Sequence, residues 1–260
     1  MIESTFWRDL RHGEAQERLR RGGLRGEELL AWLAAIAPAE RERAIEQLLG
    51  IADSPLGPAP LEGELIGYTP SGIASIVRAV FEAPVTARDV FVDLGAGLGK
   101  AAMVVHLLAG ARVRGIELQA GLVALARARA DDLGLVEVSF VEADARDAEL
   151  DDGTVFFLYL PFTGAVLRAV LERLHAVATR RDIVVCTLGL DLPKTDWLKP
   201  RESDAFWLSI YDGRTQRGQP RSLREPLPLS RLAEVVASER APLCTTSVDG
   251  ADSTPDELEH

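Results

Sequence analysis

Residues 89–100 read DVFVDLGAGLGK, an apolar run that ends in an acid and passes into three glycines at alternate positions. Val90, Phe91 and Val92 suit a buried parallel strand. Gly95, Gly97 and Gly99 let the main chain turn sharply and approach a ligand where a Cβ would collide. A helix beginning near Lys100 then directs its N-terminus at that ligand. The spacing chooses between kinds of glycine loop. A dinucleotide fingerprint needs its third glycine where Lys100 stands, and a Walker loop needs glycine at Leu94 and Ser or Thr at Ala101. Both patterns fail, and D-x-G-x-G-x-G remains.

Downstream of the loop, strand and helix signals alternate. Lys100 to Ala109 is apolar nearly all round, as a helix covered on two sides would be, and Gly110 ends it. His106 within it reads as a core histidine. ARVRGIEL is a second strand ending at Glu117, followed by Leu118 and by an alanine-rich helix that Gly134 stops. Glu117 lies about 20 residues beyond the first glycine, where a strand-end carboxylate can accept hydrogen bonds from two ribose hydroxyls. VEVSFVEADARD is a third strand, after which Asp144 can accept from an adenine amino group and Ala145 can offer its N–H to a ring nitrogen. TVFFLYL is a fourth strand closing on Tyr159, Leu160 and Pro161. Thr163 then stands where it can cap a helix whose Val166, Val170, Leu174 and Val177 share one face. DIVVCTLGL is a fifth strand, TDWLKP a turn or short element, and FWLSIYDG a further strand. The region 213–224 carries Arg214, Arg217, Arg221 and Arg224 without a balancing acid. It reads as a solvated hairpin, with contact to an acidic partner as the alternative. PLPLSRLAEVV is one more short helix.

Upstream, residues 1–51 read as a helical accessory region. Arginines and carboxylates alternate from Arg8 to Arg25, Leu29, Leu30, Leu33 and Ile36 recur at helical spacing, and Ile45, Leu48 and Leu49 resume after Pro38. Packing against the main domain is the expectation, and a lid over the substrate cleft is the functional alternative. Residues 52–63, with three prolines, form a linker. In GYTPSGIASIVRAVF, Thr69 can cap a helix with Pro70 at its first position, and Ile73, Ile76, Val77, Val80 and Phe81 line one face. The expected division is a helical region and linker at 1–63, the main domain at 64–248 and an acidic tail at 249–260, whose last three residues read as an expression-tag remnant.

Composition bounds the function. A chain of 260 residues, 47% hydrophobic, can bury one sizeable α/β core with a small accessory element. No apolar run reaches the roughly 18 residues of a membrane span, and no signal-peptide core is present, so a cytoplasmic protein is expected. The net charge of −11 disfavours nucleic acid as a partner. Cys186 and Cys244 form no C-x-x-C pair, and no His or carboxylate cluster suits a metal. Five strands separated by helices give a doubly wound sheet with its ligand beyond the strands' carboxyl ends. Asp93, the glycine loop, Glu117, Asp144 and Tyr159 all fall at such ends.

The motif D-L-G-A-G-L-G-K at 93–100 with G-I-E at 115–117 resembles the class I, seven-β-strand S-adenosylmethionine (SAM) methyltransferases. The resemblance implies a Rossmann-like α/β sheet of seven strands, SAM as cofactor and S-adenosylhomocysteine as product. It implies a cofactor site formed by Tyr68, Thr69, Asp93, Gly95, Ala96, Gly97, Gly99, Glu117, Leu118, Asp144, Ala145, Tyr159, Leu160 and Pro161. Within that family, Y-T-P-S at 68–71 and the fourth strand are more weakly similar to bacterial and mitochondrial protein-lysine methyltransferases that modify carrier and ATP-synthase subunits. That branch usually has an acid where Leu98 stands. Its implied acceptor is an amine such as a protein lysine, with Tyr68 and Tyr159 bordering the transferred methyl as the catalytic pair. The alternatives are a small-molecule O- or N-methyltransferase and a SAM-binding protein without transfer activity. The fourth strand ends in Y-L-P-F and lacks the D/N-P-P-Y that holds planar amino groups in nucleic-acid and glutamine methyltransferases.

Overall fold

Val90–Leu94 forms β1, buried along its whole length at the middle of a seven-stranded sheet. The computed structural model describes residues 12–52, 71–159, 163–203, 207–214 and 232–236. The other strands are β2 (Arg112–Glu117), β3 (Val138–Glu142), β4 (Val155–Tyr159), β5 (Ile183–Leu188), β6 (Leu198–Pro200) and β7 (Leu208–Gly213). Their spatial order is β3-β2-β1-β4-β5-β7-β6. The first five run parallel, and β7 lies antiparallel to both β5 and β6. The chain therefore walks outward from β1 to β3 and crosses back to β4. That reversal opens a crevice beside β1 at the carboxyl ends of the strands. TDWLKP supplies β6, so the element expected as a turn or short piece completes the sheet.

The helices are α1 (His12–Arg20), α2 (Glu27–Ala35), α3 (Pro38–Leu49), α4 (Ile73–Glu82), α5 (Lys100–Ala109), α6 (Ala120–Asp132), α7 (Gly164–Ala178) and α8 (Leu232–Val236). Side chains alternate across each strand, and two cores result. Val92, Phe156, Leu158 and Val185 face α7 through Val170, Leu174 and Val177. Phe91, Val155, Phe157 and Val184 face the opposite layer, where α4, α5 and α6 lie. The rings of Phe91 and Phe157 meet there at a centroid distance of 5.8 Å. Helix α5 is buried nearly all round because the N-terminal helices cover its far side, which explains its lack of a polar face. His106 is a core residue, its Nδ1 2.8 Å from the Ala111 carbonyl oxygen, and burial lowers its pKa.

Two local expectations change. Helix α4 begins at Ile73 with Gly72 at its cap position, so it does not start at Pro70. Thr69 and Pro70 themselves lie outside the described residues, as do most of the 52–63 segment, the arginines at 217, 221 and 224, Cys244 and the tail. Thr163 occupies the cap position of α7, but its side chain makes no capping hydrogen bond. Arg214 is described, and it pairs with Asp212 at 3.4 Å.

The N-terminal helices share the core with the sheet. Leu19 of α1, Trp32 of α2 and Ile45 of α3 are at most 1% exposed and belong to the cluster that also holds Phe91 and Val104. Arg41, 5% exposed, donates to the carbonyls of Leu33 and Ile36 and to those of Glu234 and Val235, joining α2, α3 and α8. Trp32→Ala should therefore lower the stability of the whole chain by about 3–5 kcal/mol in denaturant unfolding monitored through the sheet. A loss below about 1 kcal/mol, with the N-terminal helices melting in a separate earlier transition, would show that they are not part of one cooperative core.

Candidate active site

Beyond β1 the chain enters the glycine loop with φ of 86° at Gly95, 55° at Gly97 and 79° at Gly99. These are left-handed conformations that side chains resist. The loop is pinned to the neighbouring strand, because the Gly95 and Ala96 N–H groups both donate to the Ile116 carbonyl, at 2.9 and 3.0 Å. Beneath it lies the ring of Phe140 from β3. A Cβ on Gly99 would fall 2.3 Å from that ring, and one on Gly115 would fall 2.5 Å from it. Gly115 is the register partner of both Asp93 and Phe140. Its missing side chain is the space into which Phe140 reaches to support the turn.

Two carboxylates face this loop. Glu117, 8% exposed at the end of β2, accepts the Gly97 N–H through Oε2 at 2.9 Å and the Gln119 N–H through Oε1 at 2.9 Å. Asp93, 4% exposed, accepts the N–H of Ala102 in the first turn of α5, whose dipole favours an acid there. Burial nevertheless pushes the Asp93 pKa up to about 7, the Ala102 bond opposing and the Glu117 charge adding to the rise.

The remaining expected residues fall into three groups. Leu118 is 40% exposed immediately after Glu117. Asp144 and Ala145 occupy the turn after β3, where Ala145 is buried. The Arg146 guanidinium grips Asp144 at 3.0 and 2.6 Å, and its backbone N–H donates at 2.8 Å. Those bonds hold the Asp144 carboxyl below its usual pKa. Tyr159 closes β4 opposite Leu188 of β5, half-buried against the core layer that contains α5. Tyr68, Thr69, Leu160 and Pro161 lie outside the described residues. Asp93, Gly95, Ala96, Gly97, Gly99 and Glu117 are thus gathered into one hydrogen-bonded unit, and Asp144, Ala145 and Tyr159 stand at the same end of flanking strands.

Two contributors carried little sequence signal. Lys100 is only 3% exposed, and its Nζ donates to Glu42 and, at 3.1 Å, to Glu46 of α3. Locally it reads as the first residue of a helix, and nothing in the flanking sequence points to acids so distant along the chain. Phe140 reads as an ordinary strand residue. A glycine inside a strand does signal a close approach, so Gly115 was the available clue. Among the described residues, no three His, Cys, Asp or Glu side chains come together as a metal site would require.

The raised pKa of Asp93 has a defined sign. Its folded value lies above the ordinary value of 3.8, so the native state holds the proton more tightly than the unfolded chain does. Its contribution is most favourable below about pH 4, declines as pH rises, and reaches its full cost, at most on the order of 4 kcal/mol, above about pH 7. Asp93→Asn keeps an oxygen for the Ala102 N–H and removes the titration. The stability difference between the two proteins should therefore shift in the mutant's favour from pH 4 to 8. Parallel stability curves over that range would contradict a buried, titrating Asp93.

Comparison with known proteins meets this geometry. Residues 91–181, from β1 to just beyond α7, match the family described as a methyltransferase domain. No curated protein matches the chain. Among solved structures, an RNA methyltransferase from Salinibacter ruber in complex with S-adenosyl-L-homocysteine is 25% identical, with a TM-score of 0.49, over 60% of this chain and 100% of that one. A SAM-dependent methyltransferase from Aquifex aeolicus is 14% identical, with a TM-score of 0.43, over 53% of this chain and 88% of that one. The geranyl diphosphate C-methyltransferase of Streptomyces coelicolor is 20% identical, with a TM-score of 0.38, and the match spans 44% of this chain and 42% of that one. The family match thus lies on the strands and the loop that build the crevice, and over residues 91–181 the chain is similar to a methyltransferase domain.

Proposed function

We propose that the protein transfers the methyl group of SAM to an amine nitrogen, a protein lysine side chain being the favoured acceptor. The observation that carries this reading is the position of Tyr159, at the end of the strand next to β1 and against the core layer toward which Asp93 and α5 pack. The donor set fits SAM. Ribose hydroxyls are donors, which the Glu117 carboxylate can accept, and a cofactor without phosphates needs no Walker lysine and hydroxyl pair. When bound, SAM supplies an activated methyl on a sulfonium centre, which an acceptor lone pair displaces in line.

The chain's own residues then have distinct tasks in this proposal. Gly95, Ala96, Gly97 and Gly99 shape a backbone surface close enough for the cofactor, with Asp93 fixing the start of α5 behind it. Glu117 holds the ribose and Leu118 flanks it. Asp144 and Ala145 meet the adenine edge, with Arg146 orienting the carboxylate. Tyr159 presents an aromatic wall that excludes water and attracts cations, and its hydroxyl orients the acceptor. The family resemblance assigns Tyr68, Thr69, Leu160 and Pro161 to the cofactor as well. An acidic protein, of net charge −11, draws basic acceptors toward it. An amine must lose its proton before attack. Entry into an apolar pocket favours that neutral form for a lysine of ordinary pKa about 10.4.

Glu117→Ala should weaken SAM binding by about 1.5–3 kcal/mol in calorimetry, the scale of charge-assisted hydrogen bonds. An unchanged affinity in the folded mutant would remove Glu117 from the ribose role. Tyr159→Ala should lower turnover more than it lowers SAM affinity. Tyr159→Phe should lower turnover about tenfold, or about 1.4 kcal/mol in the barrier, if the hydroxyl orients the acceptor. Mass spectrometry of a lysate treated with the enzyme and isotopically labelled SAM should find the label on lysine nitrogen. Label confined to RNA, or to oxygen atoms of small molecules, would replace the amine reading.

A further inference from the structure

We propose that Glu42, on α3 in the N-terminal helical region, is a positioning residue for methyl transfer that fixes the start of α4 against the start of α5. Its two carboxylate oxygens serve different helices. Oε2 accepts the backbone N–H of Ile73, the first residue of α4, at 2.8 Å, and Oε1 accepts from the Lys100 ammonium at the first position of α5. The cap residue of α4, Gly72, has no side chain to serve that N–H, and the first turn contains no acid. Glu42 therefore caps α4 from another part of the chain.

Lys100 is an unusual residue at its position. It is buried, and it stands at the positive end of the α5 dipole, where a cation is disfavoured. Glu42 and Glu46, one turn apart on α3, offset both effects by bracketing the ammonium. A buried cation held by partly exposed carboxylates is poor evidence for stability, since apolar residues of the same volume often do as well. What such a cluster specifies is geometry, and here the geometry concerns the glycine-loop side of the site. Lys100 directly follows Gly99 of the loop, and the same first turn of α5 gives Asp93 its Ala102 N–H. Ile73 begins the helix into which the 64–72 segment, with Tyr68, leads. A continuous series of bonds thus runs from the α4 start through Glu42, Lys100 and α5 to Asp93. From there the glycine loop carries it to Glu117.

This inference rests on SAM as the cofactor, and failure of the wild-type protein to bind S-adenosylhomocysteine in calorimetry would defeat that reading first. Given wild-type binding, Glu42→Ala should weaken S-adenosylhomocysteine about tenfold or more. Glu42→Gln, which keeps an oxygen for the Ile73 N–H but turns an NH2 group toward the Lys100 ammonium, should recover only part of the loss. Leu19→Ala, at a buried position on α1 away from the junction, should lower the thermal midpoint and leave the affinity of the folded protein unchanged. An affinity unaffected by Glu42→Ala, or a Glu42→Gln variant as tight as the wild type, overturns the proposal. Should Glu42→Ala fail to fold, hydrogen exchange in the wild type decides. S-adenosylhomocysteine should slow exchange of the Ile73 amide more than it slows amides in the middle of α7, and equal slowing counts against the coupling.

Discussion

The carbonyl oxygen of Ile116 accepts two consecutive N–H groups, those of Gly95 and Ala96, and the site depends on that crossing. A parallel sheet ends with unpaired backbone groups at its carboxyl edge, and they must be satisfied wherever they are buried. Here β2 satisfies the first two groups beyond β1, which forces the chain to turn at once. The turn is possible only with left-handed backbone, and the Phe140 ring beneath it leaves no room for a side chain at Gly99 or Gly115. The glycine loop and the sheet edge are therefore one structure.

Charge is concentrated at this edge in a way that folding alone disfavours. Asp93, Lys100 and Glu117 are all buried, the first two flanking the loop and the third hydrogen-bonded to it from β2. Each is compensated by backbone N–H groups or opposite charges, yet desolvation of Asp93 remains incompletely offset. Stability is given up where the loop, the first turn of α5 and the end of β2 must hold one arrangement, as in other sites that store unfavourable electrostatics for function. By contrast Cys186, on β5, has its thiol pushed up to about 12 by burial and behaves as a small core residue.

The N-terminal helices belong to that arrangement structurally. They cover α5, whose apolar far side would otherwise meet water, and they supply the only carboxylates described within reach of Lys100. Arg41 extends the same layer to α8 through four backbone carbonyls, so the described C-terminal helix is fastened to α3. An arginine fork suits this use because it keeps its charge and offers several donors in one plane.

The sequence by itself determined the parallel core, the place of the loop and the acid on the second strand. These are local properties: an apolar run, glycines at alternate positions and a carboxylate at a strand end each follow from a few neighbouring residues. It also marked His106 as a core residue, because it lies in a helix without a polar face. Only the tertiary structure decided that Phe140 fills the space above Gly115, that Arg146 occupies Asp144, and that β7 joins the sheet antiparallel to β5 with β6 pairing on its outer side. It alone showed that α4 starts at Ile73 and that the N–H of this residue is met by Glu42, 31 residues earlier. Partners so far apart in the chain leave no periodicity or spacing to read. A lysine at a helix start looks the same whether it meets water or two carboxylates of another helix, and the difference lies in which surface folds against it.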